Sequence, residues 1–199
     1  MGNSHAKKNI SIHPFRERDL DVAIVLHESL IQSAGSILGK QYLRAMYTQM
    51  LQHPDYHVML GAYDGDTLVG AILATRSILN TNKLLRDTAA FSVPKIVWNI
   101  LTGAISISEI VSHSRVHTFL SNQMRENNMY ITALYVSTHY QRKGIATQLI
   151  HEVLQTSDTN TVYIDTHHYN TAAVLLYESM GFSHVTRIGP HDILRWECI

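Results

Sequence analysis

Apolar residues in this chain change their spacing repeatedly, from every second residue to every third or fourth and back. That alternation constrains the fold more than any other feature, because strands and helices are the structures with those two periods. Residues 9–15 read as a short strand, with Ile10 and Ile12 alternating and Pro14 ending the run. Arg16 to Ser33 reads as a helix carrying Leu20, Ala23, Ile24, His27, Leu30 and Ile31 at helical spacing, with Asp19 as its cap. Ser36 to Gln52 reads as a second helix, followed by Pro54. Tyr56–Tyr63 and Thr67–Thr75 are β-prone runs joined by Asp64-Gly65-Asp66, a hairpin signal. From Arg76 to Asn128 the pattern turns helical, with Pro94 and Gly103 as breaks, and leaves room for two helices. A strand at Met129–Val136, a helix at Lys143–Thr156, a strand at Val162–Thr166 and a helix at Thr171–Met180 follow. Phe182–Ile188 and Ile193–Cys198 close the chain as a hairpin around Gly189-Pro190. This order predicts an α/β (α+β) domain over 1–199, with a mixed central sheet of about six to seven strands flanked by helices. Residues 76–128 form a helical insertion, and residues 1–8 read as a flexible end.

Composition removes several classes of function. Lys+Arg and Asp+Glu are both 16, so the formal net charge is zero and no long-range field draws the chain to nucleic acid. The first nine residues lack the apolar core of a signal peptide, and Ala6 stands where a myristoylation signal needs a small hydroxyl. Ile96–Ser108 is too short and too polar to span a membrane, which takes about 20 apolar residues. It reads instead as an amphipathic helix over the core. Cys198 is the single cysteine, so no intrachain disulfide forms, and a cytoplasmic location fits.

Chemistry concentrates in two segments. In Leu134–Ala146 a strand ends near Val136, a polar loop follows, and Gln141-Arg142-Lys143-Gly144-Ile145-Ala146 opens a helix. Free amides at a helix start, beside Arg142 and Lys143, suit a phosphate group. Gly144 permits close approach of a ligand to the backbone, and Ala146 keeps the next turn small. Neither G-x-x-x-x-G-K-[ST] nor G-x-G-x-x-G is present, so the site is neither a P-loop nor a dinucleotide fingerprint. In the second segment, Asn170 stands at a helix start, Ala173, Leu176 and Tyr177 share a face, and Gly181-Phe182 ends the helix.

Taken together, the two segments resemble the GCN5-related N-acetyltransferase family. Gln141, Gly144 and Ala146 match that family's Q/R-x-x-G-x-G/A motif. Asn170, Ala173, Leu176, Tyr177, Gly181 and Phe182 match the motif that follows it. The resemblance covers nearly the whole element order apart from residues 76–128. It implies acetyl-CoA as acetyl donor, with its pyrophosphate on the amides of Arg142, Lys143, Gly144, Ile145, Ala146 and Thr147. It implies that the pantetheine arm pairs with Leu134, Tyr135 and Val136, and that an amide near Leu134 polarises the thioester carbonyl. Asn170, Ala173 and Tyr177 complete the implied cofactor site. The acceptor amine attacks directly, so Cys198 is no nucleophile, and Tyr177 is the implied general acid for the departing thiolate. The strand Met129–Val136 lacks the acid that many members carry as a base, which leaves Asp165, His167 and His168 as candidates or a water chain in their place.

The resemblance makes a primary amine of a small molecule the expected acceptor, with an amino sugar as the narrower reading from SILGKQYLRAMY at 36–47. A protein or peptide amine and a non-catalytic acyl-CoA-binding sensor are the alternatives. Glu109, His113 and His117 lie at i, i+4 and i+8 on one helix face. Two such histidines bind zinc only where a third ligand converges; none is visible in the sequence, so the face reads as solvated and no metal is expected. The apolar face of Ile96, Val97, Ile100, Leu101 and Ile105 is expected to be covered, by the acceptor site or by an oligomer contact such as a homodimer.

Overall fold

The computed structural model describes residues 10–31, 38–77, 81–103, 106–125, 127–156 and 158–198. The expected flexible end, Ile105 and most of the link between the first two helices lie outside these. The described strands are β1 (Ile10–Pro14), β2 (His57–Asp64), β3 (Thr67–Thr75), β4 (Asn128–Val136), β5 (Thr161–His167), β6 (Ser183–Ile188) and β7 (His191–Glu197). The helices are α1 (Leu20–Leu30), α2 (Lys40–Gln52), α3 (Thr81–Leu101), α4 (Ile107–Gln123), α5 (Ile145–Thr156) and α6 (Thr171–Ser179). One seven-stranded sheet runs in the order β1-β2-β3-β4-β5-β7-β6. Only β4 and β5 pair in parallel; the other pairs are antiparallel. The expected mixed sheet flanked by helices is the fold observed.

Alternation along the strands sends side chains to two cores. Met129, Ile131, Val162, Ile164 and Leu194 pack with Ile145, Leu149, Val153, Tyr177 and Phe182 of α5 and α6. The opposite face receives Tyr47, Met50 and Ala23 from α2 and α1. Further along that face, Tyr163 and Ile193 meet Val116 and Leu120 of α4. Full burial of such apolar side chains contributes roughly 1.5–3 kcal/mol each.

One irregularity shapes the centre of the sheet. Leu73 faces Ala133 and Ala74 faces Ile131, so Thr132 is an extra residue on β4. A bulge of this kind bends the strand and shifts its alternation by one. Before it, Met129 and Ile131 face α5 and α6; after it, Leu134 and Val136 do, while Ala133 and Tyr135 turn to α1 and α2. The parallel ladder between β4 and β5 stops at Ile131↔Ile164. Beyond it the two strands part, and β4 keeps pairing only with β3 as far as Val136. The strands therefore open a cleft at their C-terminal ends.

The insertion keeps one of its two expected breaks and loses the other. Pro94 does not break the helix but sits inside α3. The glycine break does occur, at Gly103 with φ 70°. Within the chain the apolar face of α3 is partly covered: Ile96 and Ile100 are half-buried, while Val97 and Leu101 are 48% and 77% exposed. An ion pair helps hold α3: Lys95 Nζ donates to Glu28 Oε1 of α1 at 2.7 Å.

Candidate active site

The loop from Ser137 to Gly144 is held at both ends. Ser137 N donates to Val69 O at 2.7 Å, and Gln141 Nε2 donates to Val136 O at 3.0 Å. Tyr140 donates its hydroxyl to Asp64 Oδ2 at 2.7 Å, and Lys143 Nζ donates to His139 O. Gln141 thus ties the loop to the end of β4. Arg142 has φ 61° and is the one non-glycine residue with positive φ among those described. Gly144 follows at φ 78°, a conformation costly for any side chain, and a Cβ there would project into open space. The first helical bond runs from Gln148 N to Gly144 O, which leaves the amides of Ile145, Ala146 and Thr147 ahead of it. Left-handed residues beside a helix start turn successive amides toward one point and form an anion nest. The expected phosphate loop therefore has the backbone such a role needs.

A helix end fixes Tyr177. Phe182 N donates to Tyr177 O and Gly181 N to Glu178 O, both at 3.0 Å. This is the Schellman ending, with Gly181 left-handed at φ 87°. Its usual apolar contact is present, because the Tyr177 and Phe182 rings lie 5.9 Å apart. Gly181 and Phe182 thereby hold Tyr177 against the core. At the other end of α6, Asn170 accepts from Ala173 N at 3.3 Å and caps the helix.

Tyr177 lines a cavity of about 810 Å³ that fills the opening between β4 and β5. Leu134, Asp165, His167 and Asn170 line it too, as do Glu28, Tyr42, Gln49 and Thr75 from the α1 and α2 side. Such a volume suits a small molecule. No lysine or arginine is among the lining residues described, whereas Glu28 and Asp165 are. The hydrogen bond from Lys95 holds the Glu28 carboxyl below its ordinary range. Burial pushes the Tyr177 phenol up, and the Asp165 carboxylate adds to the rise, so the phenol stays protonated.

The three candidates for the base separate. Alternation on β5 sends Tyr163, Asp165 and His167 to the α4 side of the sheet. His168, one residue on, is exposed, directs Nδ1 to Pro190 O at 3.0 Å and does not line the cavity. Asp165 is committed on both oxygens: Tyr130 donates its hydroxyl to Oδ1 at 2.5 Å, and His191 Nδ1 lies 2.9 Å from Oδ2. Burial acts to raise the Asp165 carboxyl, but the hydrogen bonds from His191 and Tyr130 outweigh it and hold the group below its ordinary range. Asp165 is thus a poor proton acceptor and a good anchor. His167 remains, buried in the cavity wall.

Two residues of this wall escape any local reading. His191 opens β7 and is 2% exposed. His113 of α4 lies with its ring 4.5 Å from that of His191. The expected solvated face on α4 is corrected here: His113 and His117 line the cavity, and Glu109 Oε1 lies 4.0 Å from His167 Nε2. Gly189 permits this approach, since a Cβ on it would fall 2.3 Å from Ser112 Oγ. No sequence signal links a histidine after a Gly-Pro turn to one on a distant helix.

A fold of this kind is widely represented among solved structures. The PaiA N-acetyltransferase of Thermoplasma acidophilum in complex with coenzyme A is 14% identical, with a TM-score of 0.61 over 96% of this chain and 99% of that one. NAA60 of Arabidopsis thaliana in complex with acetyl-CoA is 18% identical, with a TM-score of 0.60 over 95% of this chain and 98% of that one. The ribosomal-protein alanine N-acetyltransferase of Escherichia coli is 12% identical, with a TM-score of 0.55 over 94% and 91%. At these identities the likeness concerns the fold. No curated protein matches the chain in sequence. The model of the acetyltransferase (GNAT) family matches residues 26–182, a span that includes the cleft, the loop before α5 and the Tyr177 helix end. With most of its length covered by that match, the chain belongs to the GNAT acetyltransferase family.

Proposed function

We propose that this chain transfers an acetyl group from acetyl-CoA to the primary amine of a small molecule. The observation that carries this reading is the cavity of about 810 Å³ at the parting of β4 and β5, a volume that suits a small molecule, with Glu28 and Asp165 in its wall and no lysine or arginine among its described lining. An amino sugar is the narrower reading, supported by Gln49, Thr75, Ser77 and Thr132 along the wall, which offer hydrogen bonds to hydroxyl groups.

In this reading the pyrophosphate rests on the amides from Arg142 to Thr147. The acetyl-pantetheine arm lies along β4 from Leu134 to Val136, whose edge toward β5 is unpaired beyond Ile131. An amide donor on that edge stabilises the oxyanion as it forms. The amine gives up a proton to His167 and attacks the thioester carbon. A C–N bond forms, the C–S bond breaks, and the thiolate receives a proton from the Tyr177 hydroxyl. Asp165 stays ionised and positions His191 and Tyr130.

Release of free thiol from acetyl-CoA against a panel of amino sugars, polyamines and peptide N-termini tests the reading. Turnover is expected with a small amine. Turnover with peptides alone would assign a protein acceptor, and acetyl-CoA binding without turnover would favour a sensor. Tyr177→Phe keeps the ring's packing and removes the donor. Turnover is expected to fall about 10²–10⁴-fold with acetyl-CoA affinity nearly unchanged. Wild-type single-turnover rates in that variant would exclude the acid role.

A further inference from the structure

Three imidazoles from separate elements meet in the cavity wall. His113 comes from α4, His167 from the end of β5 and His191 from the start of β7. One ligand atom from each lies within 4.8 Å of the others. Their rings stand 4.4 Å (His167–His191), 4.5 Å (His113–His191) and 6.4 Å (His113–His167) apart. We propose that His113, His167 and His191 form a binding site for a divalent transition-metal ion of the zinc class.

Three observations carry this. Nε2 of His113 and Nε2 of His191 are buried with no hydrogen-bond partner. A buried polar atom left without a partner costs about 1–3 kcal/mol, so two beside one another need a reason. Second, the outer nitrogen is engaged. The Asp165 carboxylate only accepts, so His191 donates to it from Nδ1, which leaves Nε2 as the nitrogen a metal ion would take. A carboxylate bonded to the far nitrogen of a ligating histidine is the usual outer arrangement at a zinc site. Here Tyr130 holds the carboxylate in turn. Third, the distances are close to those required. Zn–N bonds of about 2.0–2.1 Å place tetrahedral nitrogens roughly 3.4 Å apart, which small side-chain rotations reach from the present spacing. The donor set is all nitrogen. The chain's one thiol, Cys198, is exposed and outside the cavity lining. That set suits zinc, nickel, copper or cobalt over calcium or magnesium.

The site itself does not depend on the acetyl-transfer reading, but its consequence does. A metal ion at these nitrogens takes the lone pair of His167, and with it the proton acceptor for the amine. Bound zinc is then an inhibitor of transfer, and a chelator restores it.

The test separates the two. Metal-free protein is titrated with Co(II), and the visible absorption is read without any substrate. One equivalent of intense tetrahedral absorption, displaced by Zn(II), is expected. Zn(II) is also expected to raise the melting temperature of the wild type. In His113→Gln both signals should weaken at least tenfold in metal concentration, and circular dichroism should match the wild type. If that variant does not fold, His191→Gln is measured in its place. No cobalt absorption, or absorption equal in the wild type and the variant that folds, overturns the site and leaves only adventitious binding by exposed histidines. The rate arm is separate: micromolar Zn(II) should lower wild-type turnover at least tenfold and leave His113→Gln at its own metal-free rate. Binding without inhibition would keep the site and overturn the reading of His167 as base.

Discussion

Two groups of buried histidines and tyrosines flank one cavity, and they differ in how their polar atoms are satisfied. On the α1–α2 side, His27 Nδ1 lies 3.1 Å from the Tyr47 hydroxyl, which lies 2.8 Å from that of Tyr135. All three are buried, at 1%, 0% and 4% exposure. The chain of bonds is continuous, and the rings pack edge-on and tilted around it. On the α4 side, His113, His167 and His191 are also held by ring contacts, yet two ring nitrogens have no partner. A satisfied network adds rigidity to a core; a wall with unpaired lone pairs is open to a ligand. Residue type and burial are therefore insufficient to separate a structural histidine from a binding one, and the hydrogen bonds decide.

This contrast can be broken by substitution. Tyr47→Ala removes a fully buried ring from the satisfied side and should cost about 3–5 kcal/mol in urea unfolding. A loss under 1 kcal/mol would mean that the network is not structural. The next effect in size is one of pH. Burial lowers His27 from 6.5 to about 4. The unfolded chain therefore takes up a proton near pH 6.5, whereas the folded protein resists until about pH 4. Stability from the neutral ring is complete above pH 6.5 and drains away as pH falls through that window. A shift of this size corresponds to about 3 kcal/mol. His27→Leu should flatten that stretch of the stability–pH curve, and an unchanged slope would reject the assignment. The smallest effect is expected on the other side. His113→Leu removes an unpartnered nitrogen and should change stability by less than about 1 kcal/mol. A loss above 2 kcal/mol would make the two clusters alike.

Much of the loop before α5 and of the Tyr177 helix end was legible because the determinants are local. Gln141, Gly144 and Ala146 lie within one loop and helix start, and Gly181 with Phe182 forms a helix ending seated on Tyr177. Asp64-Gly65 was read as a turn, and its glycine has φ 62°. The cavity between β4 and β5 was less legible. The sequence marks Met129–Val136 as a strand without marking its bulge, and the extra residue at Thr132 reverses its sides. Pro94 was read as a stop, although α3 continues past it, against the bias of proline toward ending helices. Of the face that reads as solvated, His113 and His117 line a cavity.

The sequence by itself determined the element order, the turn chemistry, the glycine-containing loop before α5 and the capped helix that carries Tyr177. Each of these is set by interactions spanning a few residues, where spacing and residue type carry the information. Only the tertiary structure decided which side of the sheet Asp165 and His167 face, that α4 comes close enough for Ser112 to occupy the space a side chain at position 189 would need, and that His113 meets His191 there. Those contacts depend on sheet register, on a bulge and on the approach of a helix, quantities set by the packing of the whole chain.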